Sequence, residues 1–193
     1  MAIDTGSGEP HVRRIVMLGP PASGKGTQGT RLAARISVPH VSTGALLRRT
    51  IDHGDPHGVA ALVGGGRRVP DDVVEAVLAP ALGEAFLLDG YPRTGRQAER
   101  LDQLLNGRPV ERAVELTLDE ATLCARMFLR AEHEHRGDDS PDVFLRRLED
   151  YQREAPAIRR HYGERLVVVD SSGDEDEVFD RMLRALGLES VPA

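Results

Sequence analysis

The chain is poor in cysteine, in lysine and in uninterrupted apolar sequence: it has one residue each of the first two among 193 residues. A lone cysteine, Cys124, excludes an internal disulfide framework and fits a reducing compartment. No apolar run approaches the ~20 residues that a membrane-spanning helix needs. Residues 1–10 are small, polar and acidic, without the basic start and apolar stretch of a secretory leader, so the expectation is a soluble cytoplasmic protein. A positive surplus is missing as well. The formal net charge is −6, which argues against nucleic acid or an anionic membrane as partner. What is present is ample for a core: 40% of the residues are hydrophobic, and the length suits one domain with small insertions.

The scarce lysine is the most informative residue. Among 25 basic residues Lys25 is the one that is not arginine, and it stands in Gly19-Pro20-Pro21-Ala22-Ser23-Gly24-Lys25-Gly26-Thr27-Gln28. An apolar run, Ile15 to Leu18, precedes this stretch, and a helical pattern from about Thr27 to Ile36 follows it. Strand, glycine-rich turn, helix is the setting of a phosphate-binding loop. The glycines let successive N–H groups point inward at anionic oxygens, and the helix adds its positive end. In a narrow anion nest a compact ammonium serves better than a planar guanidinium.

Elsewhere the pattern alternates short apolar strands with helices. Strands are expected at Val12 to Leu18, Val38 to Val41, Phe86 to Asp89, Val114 to Leu118 and Leu166 to Val169. Helices are expected after Ser42, Asp71, Thr94, Asp119, Ser140 and the acidic run 174–177, with a small outlying element around Val59 to Val63. A polar stretch, 131–139, interrupts the chain before Ser140. Five strands separated by helices predict an α/β fold with a five-stranded parallel sheet covered on both faces. One domain is expected over residues 12–188, between a flexible tail at 1–11 and a short tail at 189–193.

Five further motifs make the chain resemble the adenylate kinase branch of the nucleoside monophosphate kinases over residues 12–188. They are His40-Val41-Ser42-Thr43-Gly44 with Arg48; Arg68-Val69-Pro70-Asp71; Phe86-Leu87-Leu88-Asp89-Gly90-Tyr91-Pro92-Arg93-Thr94 with Gln97; Arg126 with Arg130; and Arg136-Gly137-Asp138-Asp139 with Arg147. The resemblance implies reversible phosphoryl transfer from Mg²⁺-bound ATP to AMP, giving two ADP. It implies ATP contacts at Gly19, Ser23, Gly24, Lys25, Gly26, Thr27, Gln28, Arg126 and Arg130. Residues at the AMP would be Thr43, Gly44, Arg48, Val69, Gly90, Arg93, Gln97, Arg136 and Arg147. Lys25, Arg93, Arg126, Arg136 and Arg147 would carry the catalysis, since phosphoryl transfer needs alignment and charge stabilisation more than covalent help. Asp89, at a strand end beside the loop, would organise Mg²⁺ through water. Residues 43–69 would form an acceptor-binding flap and 131–137 a short lid, on a monomer.

Two positions depart from the family pattern. Ala45 stands where an acidic residue usually follows Thr-Gly, and His135 replaces a glycine before Arg136. Alternatives within the class are UMP, CMP or another monophosphate as acceptor, though a glutamine amide at Gln97 matches the donor–acceptor edge of adenine. Outside it stands a nucleotide sensor without turnover, for which Ala45 is the hint. A GTP-driven switch is excluded, because it needs a second lysine to read guanine.

Overall fold

A computed structural model describes residues 12–55, 58–134 and 140–189, with the backbone alone over 130–134. Five strands form one parallel sheet in the order β2-β3-β1-β4-β5. They are β1 (Arg14–Leu18), β2 (His40–Ser42), β3 (Phe86–Asp89), β4 (Arg112–Thr117) and β5 (Leu166–Asp170). The expected number and parallel arrangement of strands are found, with boundaries shifted by at most two residues.

Eight α-helices surround the sheet among the described residues: α1 (Lys25–Arg35), α2 (Thr43–Asp52), α3 (Val59–Gly64), α4 (Asp71–Leu78), α5 (Gly95–Leu105), α6 (Glu120–Glu134), α7 (Pro141–Tyr162) and α8 (Glu175–Leu186). Their starts follow capping chemistry. Ser42, Thr94 and Ser140 each accept a backbone N–H of the first turn, worth roughly 1 kcal/mol apiece. Asp174 and Glu177 form a reciprocal capping box at α8, so the acidic run serves a helix start. Pro80 ends α4 in a single 3₁₀ turn, Ala79–Ala81. Helix α6 continues through 131–134, further than the polar composition of that stretch suggests.

Alternation along the strands sorts side chains to two faces. Val16, Leu18, Phe86, Leu88 and Ala113 pack under α2, α4, α5 and α7. Ile15, Met17, Leu87, Val114 and Leu116 face α1 and α8. A third, smaller core joins Leu123 and Met127 of α6 to Phe144 and Leu148 of α7, with Ala22 packed against it. Through that contact the two arginine-bearing helices are fixed relative to the glycine-rich loop.

Candidate active site

Backbone geometry builds the loop between β1 and α1. Gly19 has φ 134° and Gly24 φ 90°, conformations that side-chain-bearing residues rarely adopt. A Cβ on Gly19 would lie 2.5 Å from the Leu116 carbonyl oxygen of β4, so the position excludes any side chain. Gly24 is the N-cap of α1 and offers no side-chain cap, and no acidic residue stands in the first turn. The helix therefore turns an electropositive, uncapped end toward the loop. Lys25 Nζ folds back to the Pro20 carbonyl at 2.6 Å and to the Ser23 hydroxyl at 3.4 Å. Ser23 is buried, while Gly26 and Thr27 are open to solvent.

Asp89 ends β3, directly beside β1, with Met17 and Asp89 paired in register. Its carboxylate Oδ2 comes within 3.8 Å of the position a Cβ would take on Gly26. Both features lie at the C-terminal ends of the central strands, where parallel α/β sheets gather ligands. On the other side of the loop, Arg126 of α6 donates to the carbonyls of Ser171 at 2.9 Å and Gly173 at 3.3 Å. With Ser23, Thr27 and Glu175 it lines a small cleft. The Gln28 amide donates to the Glu175 carbonyl at 2.8 Å, tying α1 to α8, and its Oε1 is buried without a partner among the described residues. Arg147 is half-buried on α7. Arg130 is on α6, four residues after Arg126; Arg136 and His135 lie outside the described residues.

A second cluster forms around the turn after β3. Thr43 is buried, and its hydroxyl has no partner among the described residues. Gly90 has φ +87°, and a Cβ there would meet Thr43 Cβ at 3.5 Å and Arg93 Nη2 at 3.6 Å. Thr43, Gly90 and Arg93 are thus brought together, and Arg93 Nε donates to the Gly90 carbonyl at 2.8 Å. Arg48 is exposed one turn along α2, with Nη1 3.4 Å from the Cβ position of Gly44. Val69 is buried in the core beneath the cluster. Gln97 accepts the Arg93 backbone N–H through Oε1 at 2.7 Å and donates through Nε2 to Asp71 Oδ1 at 2.7 Å.

Three features of this side escape sequence reasoning. Asp71 reads as a helix start, yet its carboxylate reaches Gln97 on another helix. Glu75 is buried and takes both guanidinium arms of Arg100, with the Tyr91 hydroxyl 3.5 Å away. Burial first, and then the Glu75 and Asp71 charges, push the Tyr91 phenol above its ordinary range. The available signal was a glutamate among Val73, Val74, Val77 and Leu78, since a carboxylate on an apolar face needs a partner. Arg68, finally, bridges to Asp150 at 3.4 Å and Glu154 at 3.3 Å on α7, while Arg146 donates to the Gly65 carbonyl.

A lysine-bearing loop that opens a helix after the central strand, with a carboxylate ending the neighbouring strand, sets the class: a P-loop nucleotide phosphotransferase. Comparison narrows it. Residues 17–167 match the family model described as adenylate kinase. An adenylate kinase of Xanthomonas euvesicatoria pv. vesicatoria is 42% identical over 185 residues, covering 90% of this chain and 99% of its own. The adenylate kinase of Micrococcus luteus is 40% identical over 184 residues, with 90% of each chain covered. That of Mycobacterium tuberculosis is 38% identical over 183 residues, covering 90% of this chain and 99% of its own. The chain belongs to the adenylate kinase family.

Proposed function

We infer that this chain transfers the terminal phosphoryl group of ATP reversibly to AMP, giving two ADP, with the donor on the loop 19–28 and the acceptor between Thr43, Arg93 and Gln97. The observation that carries the assignment of sites is the placing of these two anion-suited clusters on either side of Asp89. The loop amides and Lys25 hold the outer phosphates of the donor. Arg126, beside the same loop, flanks the donor, with Arg130 four residues further along α6. Arg93 and Arg48 hold the acceptor phosphate, and the orphaned Thr43 hydroxyl supplies a further hydrogen bond there. Arg93, Arg147 and Arg136 surround the group in flight, where fixed cations stabilise charge that develops only in the transition state.

The family uses Mg²⁺-bound ATP, and the groups here suit a hard cation: the Asp89 carboxylate and the exposed Thr27 hydroxyl beside the loop offer oxygen donors. When bound, the ion would neutralise phosphate charge, and Asp89 would hold it through water. Residues 43–69 act as the acceptor flap and 131–137 as a lid, whose closure excludes water and protects the phosphoryl group from hydrolysis. The cytoplasm is the enzyme's compartment, in keeping with a single thiol. Among the described residues no helix is long and apolar enough to cross a membrane.

The test is an initial-rate panel with AMP, UMP, CMP and GMP, with and without Mg²⁺. AMP is expected to be the preferred acceptor and the rate to require the ion. A preference for CMP or UMP overturns the adenine assignment, and metal-independent turnover overturns the role of Asp89.

A further inference from the structure

We propose that Asp71 is the residue that makes Gln97 select adenine, by fixing which end of its amide faces which way. The proposal rests on the reading above, in which Gln97 meets the base edge. A glutamine amide alone is a poor discriminator: rotated by half a turn it exchanges donor and acceptor, and fits a 6-oxopurine as well as a 6-aminopurine. Adenine offers an N–H donor at position 6 and an acceptor at N1. Hypoxanthine and guanine offer an acceptor at position 6 and a donor at N1, so they require the rotated amide.

In this structure the amide cannot rotate without loss. Its Nε2 donates to Asp71 Oδ1 at 2.7 Å, and its Oε1 accepts the Arg93 backbone N–H at 2.7 Å. A carboxylate only accepts and a backbone N–H only donates, so the two partners dictate the same orientation. Rotation would set Oε1 against the carboxylate and the NH₂ group against an N–H. Gln97 is 4% exposed, so water does not repair the mismatch. Each end of the amide retains capacity: Nε2 has a second hydrogen and Oε1 a second lone pair. Those two remaining valences form the donor–acceptor pair that adenine completes.

The pairing also crosses elements. Asp71 is the first residue of α4, separated by Pro70 alone from the 43–69 segment, and Gln97 lies in the first turn of α5. Base selection is thereby tied to the way α4 seats against α5, an arrangement that the Glu75–Arg100 pair also fastens. Asp71 is a positioning residue in this account: it acts on the base through Gln97.

The experiment measures kcat/KM for AMP, IMP and CMP in the wild type and in Asp71→Leu, Asp71→Asn, Asp71→Glu and Gln97→Ala, with thermal unfolding of each. IMP is the informative probe because it differs from AMP only at the edge in question. Asp71→Leu is expected to lower the AMP-to-IMP ratio by at least about tenfold, the scale of one misoriented hydrogen-bond pair. Asp71→Asn, which can either donate or accept, lowers it less. Asp71→Glu keeps the carboxylate and the ratio, and CMP, which does not present a purine edge, loses less than AMP in Asp71→Leu. Equal loss on all three acceptors, or an unchanged ratio in both Asp71→Leu and Asp71→Asn, overturns the proposal. An unchanged ratio in Gln97→Ala overturns instead the reading that Gln97 meets the base. A ratio that collapses in Gln97→Ala but persists in the Asp71 variants removes Asp71 alone.

Discussion

In the proposed donor site most of the groups come from one short stretch, Gly19 to Gln28, largely backbone amides with one ammonium, and Arg126 of α6 lies beside them. In the proposed acceptor site they come from α2, from the β3–α5 turn and from α5, where Gln97 is held between the Arg93 backbone N–H and the Asp71 carboxylate of α4. A backbone nest recognises phosphate, which every nucleotide carries, and recognises it by charge and curvature. A network of oriented side chains recognises a hydrogen-bonding edge, which differs between bases. The division of labour we propose follows: rate from the loop and the arginines, choice from the Gln97 cluster.

The largest expected effect lies on the donor side. Lys25→Ala is expected to lower kcat by about a hundredfold or more, on the order of 3–4 kcal/mol of barrier, with little change in unfolding temperature. Near-normal turnover in a folded Lys25→Ala protein would break the comparison at once. Next comes Gly19→Ala. Its φ of 134° and the 2.5 Å approach to the Leu116 carbonyl predict a stability loss of about 1–3 kcal/mol, read by urea unfolding. A neutral result would mean that the loop is not the rigid nest assigned to it.

Acceptor-side effects are smaller because they are spread over more groups. Arg68→Ala removes the bridges to Asp150 and Glu154, which are partly exposed and so worth less than about 1 kcal/mol each. The KM for AMP should rise by less than about fivefold, while the KM for ATP stays constant. A matching change in both constants would deny that this bridge belongs to the acceptor half. The smallest effect is one of pH. Burial raises the Asp150 carboxyl, but Arg153 and Arg68 outweigh it and hold it below the ordinary value of 3.8. A carboxylate with a depressed folded-state pKa contributes stability above the unfolded value, and that stability is lost as pH falls through the folded one. The gap in unfolding temperature between wild type and Arg68→Ala should therefore be present at pH 7 and narrow below about pH 4.

The same contrast explains what the sequence could reveal. The loop is a contiguous run whose glycines and lysine have mechanical reasons to be where they are, so its placement at a strand-to-helix turn was legible, as were the five strands and their parallel arrangement, though not their order in the sheet. Capping residues such as Thr94 and Ser140 marked helix starts because their chemistry is local. Asp71 with Gln97, Glu75 with Arg100, and Arg68 with Asp150 are pairs from distant parts of the chain. Nothing in periodicity or spacing brings them together, and they become visible only when α4, α5 and α7 pack on one face of the sheet. Ala45 offers a middle case. Its N–H donates to the Ser42 cap at 3.4 Å, so the helix start survives the missing carboxylate.

The most direct test of the division between rate and choice is kcat/KM for AMP and for CMP in the wild type, Lys25→Ala and Gln97→Ala. Lys25→Ala should depress both acceptors by the same factor, about a hundredfold or more, and leave their ratio unchanged. Gln97→Ala should lower the AMP-to-CMP ratio by about tenfold or more, with CMP turnover nearly intact. A Gln97→Ala protein that slows both acceptors equally, or a Lys25→Ala protein whose preference between them changes, would contradict it.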